Sequence, residues 1–443
     1  MSQGGVVLGR YRGRILRFRG EQNVLLIGGQ REGKGVGILI PTLLDVPPHL
    51  WRRAGHVVVV DIRGETWNAT AGYRSQFSRC LKLSLMAPGS ARFSLPQAIR
   101  KGTAYEFMDA AILAEVAMET PEGAAKESAH WQGTARAAMA CGLLYEIHKR
   151  IRPTMTNMAS FWSQPGKSVF ETIAHIRDTA PTRQVAELAQ ELLNKEGREA
   201  SSVLSTMLRQ LFIFRDPLVA RNTATCDFQL EDFTRHDQWT SLYIVLSPEE
   251  EHYLRPYLRM LLRVMLGRWL ELGETKHNIT FLLDEFPVFG KLQFYADELG
   301  VLGGRGIRTL LACQNVPQLR VYGDTDVITE QCKVRLYFGA QGQTTGQEIS
   351  RQTGSGTATT LQETHQQGQG WGRKSTQAHQ HARPLLTESE AMQIPPERMV
   401  IQVSGSPSLW ATKIKFYQHG TWRHPWGPPW LQRSQISAPD WRV

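Results

Sequence analysis

Short apolar runs recur along the chain at Asn23–Ile27, Val57–Val60, Ser241–Leu246, Ile279–Leu283, Thr309–Cys313 and Val334–Phe338. They lack strict alternation, which suits strands buried on both faces of a parallel sheet. Ahead of them, Val6–Gly20 alternates apolar residues with Arg10, Arg12, Arg14, Arg17 and Arg19. That pattern predicts a small basic hairpin leading into the first core strand. A helix is predicted from about Lys34, and the strand at Val57–Val60 ends on Asp61. From about Thr103 to Arg209 the period becomes helical, as at Met108, Ile112 and Ala117 and through Ala135–Ile147. Few strand-like runs interrupt that stretch, so it reads as an all-helical unit inserted between core strands. Strands alternating with helices imply a doubly wound α/β core.

Beyond the sixth apolar run, Gln341–Arg383 is rich in Gln, Gly, Thr and Ser and nearly devoid of large apolar side chains. Such a stretch buries too little to offset its ordering entropy, so a mobile linker or loop is expected. Met399–Val403 and Ala411–Phe416 read as two late strands at the sheet edge. The tail sets Trp422, Trp426, Trp430 and Trp441 among prolines, to pack either on the core or on a partner.

A length of 443 residues exceeds what one core fills, so more than one domain is expected. The 41% hydrophobic and 21% charged content is that of a globular protein. A net charge of +10 favours a polyanionic partner or an anionic membrane surface, although basic charge is permissive and not specific. Cys80, Cys141, Cys226, Cys313 and Cys332 are scattered, with no C-x-x-C pair. That argues for reduced thiols and against a disulfide frame or a zinc site. No stretch approaches the roughly 18 consecutive apolar residues of a membrane-spanning helix.

The candidate chemistry begins at Gly28-Gly29-Gln30-Arg31-Glu32-Gly33-Lys34, which fits G-x-x-x-x-G-K. Its glycines let successive backbone N–H groups turn inward around phosphate oxygens, while Lys34 reaches the β- and γ-phosphates. The motif follows a buried strand and opens a helix, as a phosphate loop must. The nucleotide contacts are therefore expected from Gly28, Gly29, Gln30, Arg31, Glu32, Gly33, Lys34, Gly35 and Val36. Gly35 stands where a magnesium-binding Ser or Thr is usual, so metal coordination must rest more on Asp284 and water. Glu32 puts a carboxylate near phosphates, unfavourable unless it points outward.

Ile279–Leu283 followed by Asp284-Glu285 is an apolar strand ending in two acids. Such a tip places Asp284 in the magnesium shell and Glu285 to orient and deprotonate the attacking water. Gln314 ends the next strand and reads either as a γ-phosphate sensor or as a surface glutamine. Arg335, on the strand after, reads as an arginine finger for a neighbouring subunit or as an ion-paired residue at a subunit contact. Asp61, Arg63 and Glu65 either touch the nucleotide or cap the following helix. His379 and His381, without a third ligand, read as solvated.

Gly33-Lys34-Gly35-Val36-Gly37 through Ile40-Pro41-Thr42-Leu43-Leu44 resembles the phosphate loop of TraG-type coupling proteins of type IV secretion and conjugation systems. In that family Gly commonly follows the lysine, while Gln30 and Glu32 depart from its usual loop. Asp61-Ile62-Arg63-Gly64-Glu65 resembles its Asp-Pro-Lys-Gly-Glu motif, with Ile62 and Arg63 departing. Asp284-Glu285-Phe286-Pro287 with Gly290, then Arg305-Gly306-Ile307-Arg308 to Gln314, resembles its second ATPase motif. Arg383-Pro384-Leu385-Leu386-Thr387 matches its C-terminal pattern.

The resemblance implies a RecA-like P-loop nucleotide-binding domain with an inserted all-α domain, using ATP and Mg²⁺ and assembling as a homo-hexamer. It implies recruitment of DNA–relaxase complexes or effector proteins to the secretion channel at the cytoplasmic face of the bacterial inner membrane. Attachment is expected through a transmembrane segment outside this chain. The expected division is 1–102 and 210–420 for the nucleotide-binding domain, the latter with the flexible segment 341–383. Residues 103–209 form the all-α domain and 421–443 the Trp/Pro-rich tail. A nucleotide-switched substrate receptor with little turnover, and a DNA-translocating ATPase unrelated to secretion, are the alternatives.

Overall fold

The computed structural model describes residues 5–422 except 120–125, 196, 235–237, 273–278, 324–325, 366–373 and 421. Its strands are β1 (Val6–Tyr11), β2 (Arg14–Phe18), β3 (Asn23–Ile27), β4 (His56–Ile62), β5 (Ser78–Leu83), β6 (Trp239–Leu246) and β7 (Ile279–Leu283). They continue with β8 (Ile307–Cys313), β9 (Cys332–Tyr337), β10 (Ser355–His365), β11 (Lys374–Pro384), β12 (Arg398–Val403) and β13 (Leu409–Thr412). Eleven of them form one sheet in the order β2-β1-β13-β12-β9-β3-β8-β7-β4-β6-β5. The run from β9 to β5 is parallel throughout.

The apolar runs work as two-faced strands. Leu25 and Ile27 of β3, Val58 and Val60 of β4 and Phe281 and Leu283 of β7 join one core cluster. Their neighbours Val24, Leu26, Val57, Val59 and Leu282 join a second on the opposite face. Alternation of direction with constant apolarity is what covering both faces requires.

Between β5 and β6 the chain is helical, with Glu106–Ala117, Lys126–Lys149, Met155–Phe161, Val169–Asp178, Arg183–Leu193 and Gly197–Leu211. Ala138, Leu143 and Met207 of these helices belong to the same apolar cluster as Leu25 and Val58, so the insertion is continuous with one sheet face. The long helix Pro248–Glu271 follows β6. Its start is set by Ser247, whose hydroxyl accepts from the Glu250 N–H while the Glu250 carboxylate accepts from the Ser247 N–H.

Three expectations change. The basic hairpin forms, as β1 and β2, but it is the sheet edge, and the late strands β12 and β13 lie inside it between β9 and β1. The second of these ends at Thr412 rather than continuing to Phe416. Residues 341–383, expected as a mobile linker or loop, carry a helix, Gln343–Thr353, and the antiparallel ribbon β10–β11, registered from Ser355↔Pro384 to His365↔Lys374. Paired strands satisfy their backbone groups within the ribbon, so order there does not need an apolar core. Of the tail, Trp422 is buried beside Val7, Leu44 and Ile414, while Trp426, Trp430 and Trp441 lie outside the described residues.

Candidate nucleotide site

Parallel strands bring their carboxyl ends to one edge of the sheet, and the predicted site residues collect there. The phosphate loop leaves β3, Asp61 is the penultimate residue of β4, Asp284-Glu285 follows β7, Gln314 follows β8 and Phe338–Gln341 follows β9. β8 separates the loop strand from the acidic strand. A crevice at the carboxyl ends of such strands is where α/β sheets bind ligands.

The loop is anchored at its root by Gly28 N–H donating to Cys313 O at 3.1 Å and by Phe338 N–H donating to Ile27 O at 2.8 Å. It turns through positive φ at Arg31 (60°) and Gly33 (84°), then enters helix at Gly35. Gly33 and Gly35 face open space, and a side chain at Gly28 would press on Phe338. The Lys34 ammonium donates to the Gly28 and Gly29 carbonyls at 2.7 and 3.3 Å, folded over the mouth of the loop. Gln30 and Arg31 are exposed at its tip.

Asp61 is fully buried. Its Oδ2 accepts from the Trp67 N–H at 2.6 Å, capping helix Glu65–Arg74. The turn between runs through positive φ at Arg63 and Gly64. Burial raises the Asp61 pKa to about 6 against the backbone hydrogen bonds that hold it down. Asp284 is pushed up to about 7, first by burial and then by the charge of Asp61, with Lys34 opposing. Burial also raises Glu285, against Lys34 and the Gln314 and Gln318 side chains. Asp61 Oδ1 and Glu285 Oε1 are buried without a hydrogen-bond partner. Carboxylates crowded at a cost beside a lysine, with oxygens left over, fit a magnesium nucleotide. Among the described residues no group of three or more His, Cys, Asp or Glu could enclose a metal unaided, so phosphate oxygens and water would complete the shell.

Gln314 lies at the site: its backbone N–H is held by Gln318 Oε1 at 2.8 Å, and its side chain is near enough to Glu285 to oppose the rise in that carboxyl's pKa. Arg335 does not. It is 7% exposed, and its guanidinium donates to Thr329 O at 2.9 Å, Gln352 Oε1 at 3.0 Å and Gln402 Oε1 at 2.9 Å. Register pairs it with Leu25, two residues short of the strand end at Ile27↔Tyr337, so it sits in mid-sheet and is spent within its own chain.

Sequence reasoning missed Gln341, whose amide lies where a side chain at Gly29 would go, and Lys413, whose Nζ stands 3.4 Å from Glu32 Oε2. Gln341 follows the Val334–Phe338 run at the same sheet edge, a signal that was there to use. Lys413 comes from a distant strand, and only the position of β13 brings it near.

Strand order, loop and acidic strand tip define a RecA-like P-loop nucleotide-binding protein. The family described as type IV secretory system conjugative DNA transfer matches residues 3–438, and the chain belongs to that family. It is 30% identical to a conjugal transfer protein TraG of Escherichia coli, across 96% of this chain and 70% of that protein. It is 24% identical to protein VirD4 of Agrobacterium fabrum, across 90% of this chain and 59% of that one. Among solved structures, it resembles the bacterial conjugative coupling protein TrwBdeltaN70 with a TM-score of 0.68 at 19% identity, covering 94% of this chain and 89% of that one. TrwB in complex with ADP and Mg²⁺ gives 0.67 at 16% identity, covering 94% and 90%. No described helix is long and apolar enough to cross a membrane.

Proposed function

We propose that this chain is the ATP-hydrolysing part of a type IV secretion coupling protein, which recruits DNA–relaxase complexes or effector proteins and passes them to the channel. The observation that carries the reading is the phosphate loop with Lys34 at the same sheet edge as Asp284 and Glu285, close enough that its charge opposes the burial that raises both carboxyl pKa values. The loop amides and Lys34 hold the β- and γ-phosphates of ATP. Asp284, with Asp61 beside it, would hold Mg²⁺, which when bound would supply positive charge to the phosphate oxygens. Glu285, steadied by Gln314, accepts the proton of the water that attacks the γ-phosphorus, and ADP leaves.

Residues 1–102 and 210–420 make up the nucleotide-binding domain and 103–209 the helical one. Hexameric assembly places the sites between subunits, at the cytoplasmic face of the inner membrane. The net charge of +10 suits contact with the DNA backbone irrespective of sequence.

The test is ATP hydrolysis by the purified chain, with Lys34→Ala as control. Turnover lost in a folded Lys34→Ala protein supports the motor, since Lys34 is the cation folded over the mouth of the loop. Wild-type turnover in that variant removes the ATPase assignment. Tight ATP binding with no turnover in the parent chain would leave a nucleotide-switched receptor instead.

A further inference from the structure

Glu32 is a carboxylate inside a phosphate-binding loop, and the structure shows what answers it. Lys413, just past the end of β13, sets its ammonium 3.4 Å from the Glu32 carboxylate and 4.3 Å from the centre of the Phe338 ring. Its side chain is 7% exposed. The pair forms one wall of a cavity of about 450 Å³ beside the loop. Val36 and Phe338 line the inner side, and Ile394, Pro396 and Tyr417 the outer. That volume lies in the range of about 300–1,000 Å³ in which proteins hold small organic ligands.

The cavity is fixed to the loop. A Cβ at Gly37, on the first helical turn after Lys34, would come 3.0 Å from the Ile414 carbonyl, so the helix and the outer wall meet backbone to backbone. The outer wall is itself tied by Lys413 N–H donating to Glu397 O at 2.8 Å. Tyr417 is 47% exposed at the mouth, its ring edge-to-face with Phe416 at 5.5 Å between centroids. Apolar Val36, Phe338, Ile394 and Pro396 among charged side chains, a half-exposed ring at the mouth and a phosphate cradle next door describe a receptor for a flat heterocycle on a sugar.

We infer that this cavity takes the nucleoside end of the nucleotide, with Tyr417 as the stacking surface for the base. The Lys413–Glu32 pair divides it from the phosphates and keeps the loop carboxylate off them. The inference rests on the nucleotide reading of the loop, and the experiment separates the two. Affinities of the full chain for MgATP and for magnesium tripolyphosphate are measured by calorimetry. Tyr417→Ala should raise the Kd for ATP by about tenfold, the size of a lost base–aromatic stack, and Glu397→Trp, at a position whose side chain is 64% exposed on the rim, should raise it by filling the cavity mouth. Neither should change tripolyphosphate binding. If both ligands weaken equally, or neither does, the cavity is not the nucleoside site, although the loop assignment stands. Lys34→Ala should weaken both ligands, and binding of both at wild-type strength would remove the loop assignment itself. Lys413→Met should also weaken both, and Glu32→Gln in the same chain should restore tripolyphosphate binding. Failure of that rescue would show that Lys413 serves only to hold the fold.

Discussion

Asp61 and Asp284 stand side by side at the carboxyl ends of adjacent parallel strands, one step beyond the Val60↔Leu283 pair, and the charge of Asp61 pushes the Asp284 pKa up. Two buried carboxyls so placed cost the free protein stability when both are ionised. A cation between strand tip and phosphate would turn the repulsion into attraction.

The first expectation is a pH dependence. Both pKa values are raised in the folded chain, to about 6 and about 7, so folding favours the protonated forms. Their contribution to stability is complete below the unfolded carboxyl value of roughly 4 and is lost as pH rises through 6 to 7. Mg²⁺ needs the deprotonated forms, so its affinity rises over the same interval. Thermal melts of the chain with ATP, with and without Mg²⁺, should show a metal-dependent gain that is large at pH 8 and small at pH 5. A gain independent of pH would exclude these carboxyls from the metal shell.

Asp61→Asn should stabilise the free protein at pH 8 by on the order of 1 kcal/mol, because it removes one of two buried charges. The amide oxygen still accepts from the Trp67 N–H that Asp61 now caps. At about pH 3, where Asp61 is protonated in both the folded and the unfolded chain, the difference should nearly vanish. Destabilisation at both pH values would mean that the charge is needed for the helix cap and not for a ligand.

Arg335 is expected to be structural. Arg335→Ala leaves Thr329 O, Gln352 and Gln402 without their donor and should cost about 1–3 kcal/mol for each group left buried. Arg335→Lys should recover little, since one ammonium cannot span three acceptors in a planar array. A variant with unchanged melting temperature and selectively slow hydrolysis would instead reinstate it as a finger for a neighbouring site.

Strands covered on both faces were legible because their apolarity is unbroken: Asn23–Ile27 and Ile279–Leu283 form as the pattern predicts. The loop and the acidic tip were legible because motif and strand context coincide. What pattern does not carry is lateral order. Nothing in Leu409–Thr412 says that it pairs with β1, and so neither the inner place of the late strands nor the reach of Lys413 to Glu32 could be read. Depth along a strand is likewise silent, which is why Arg335 could be put on the right strand and the wrong level. The ribbon β10–β11 was missed because its order comes from backbone pairing and not from burial.

The most direct test of the account is Glu285→Gln, measured for ATP affinity and for single-site turnover in the same preparation. The amide keeps the shape of the side chain, but it cannot take a proton from water. The account predicts ATP affinity within about twofold of the parent and turnover reduced by about 10²–10⁴, the usual worth of a general base. Affinity and turnover both at the parent's level would contradict it, since the water would then be activated by some other group.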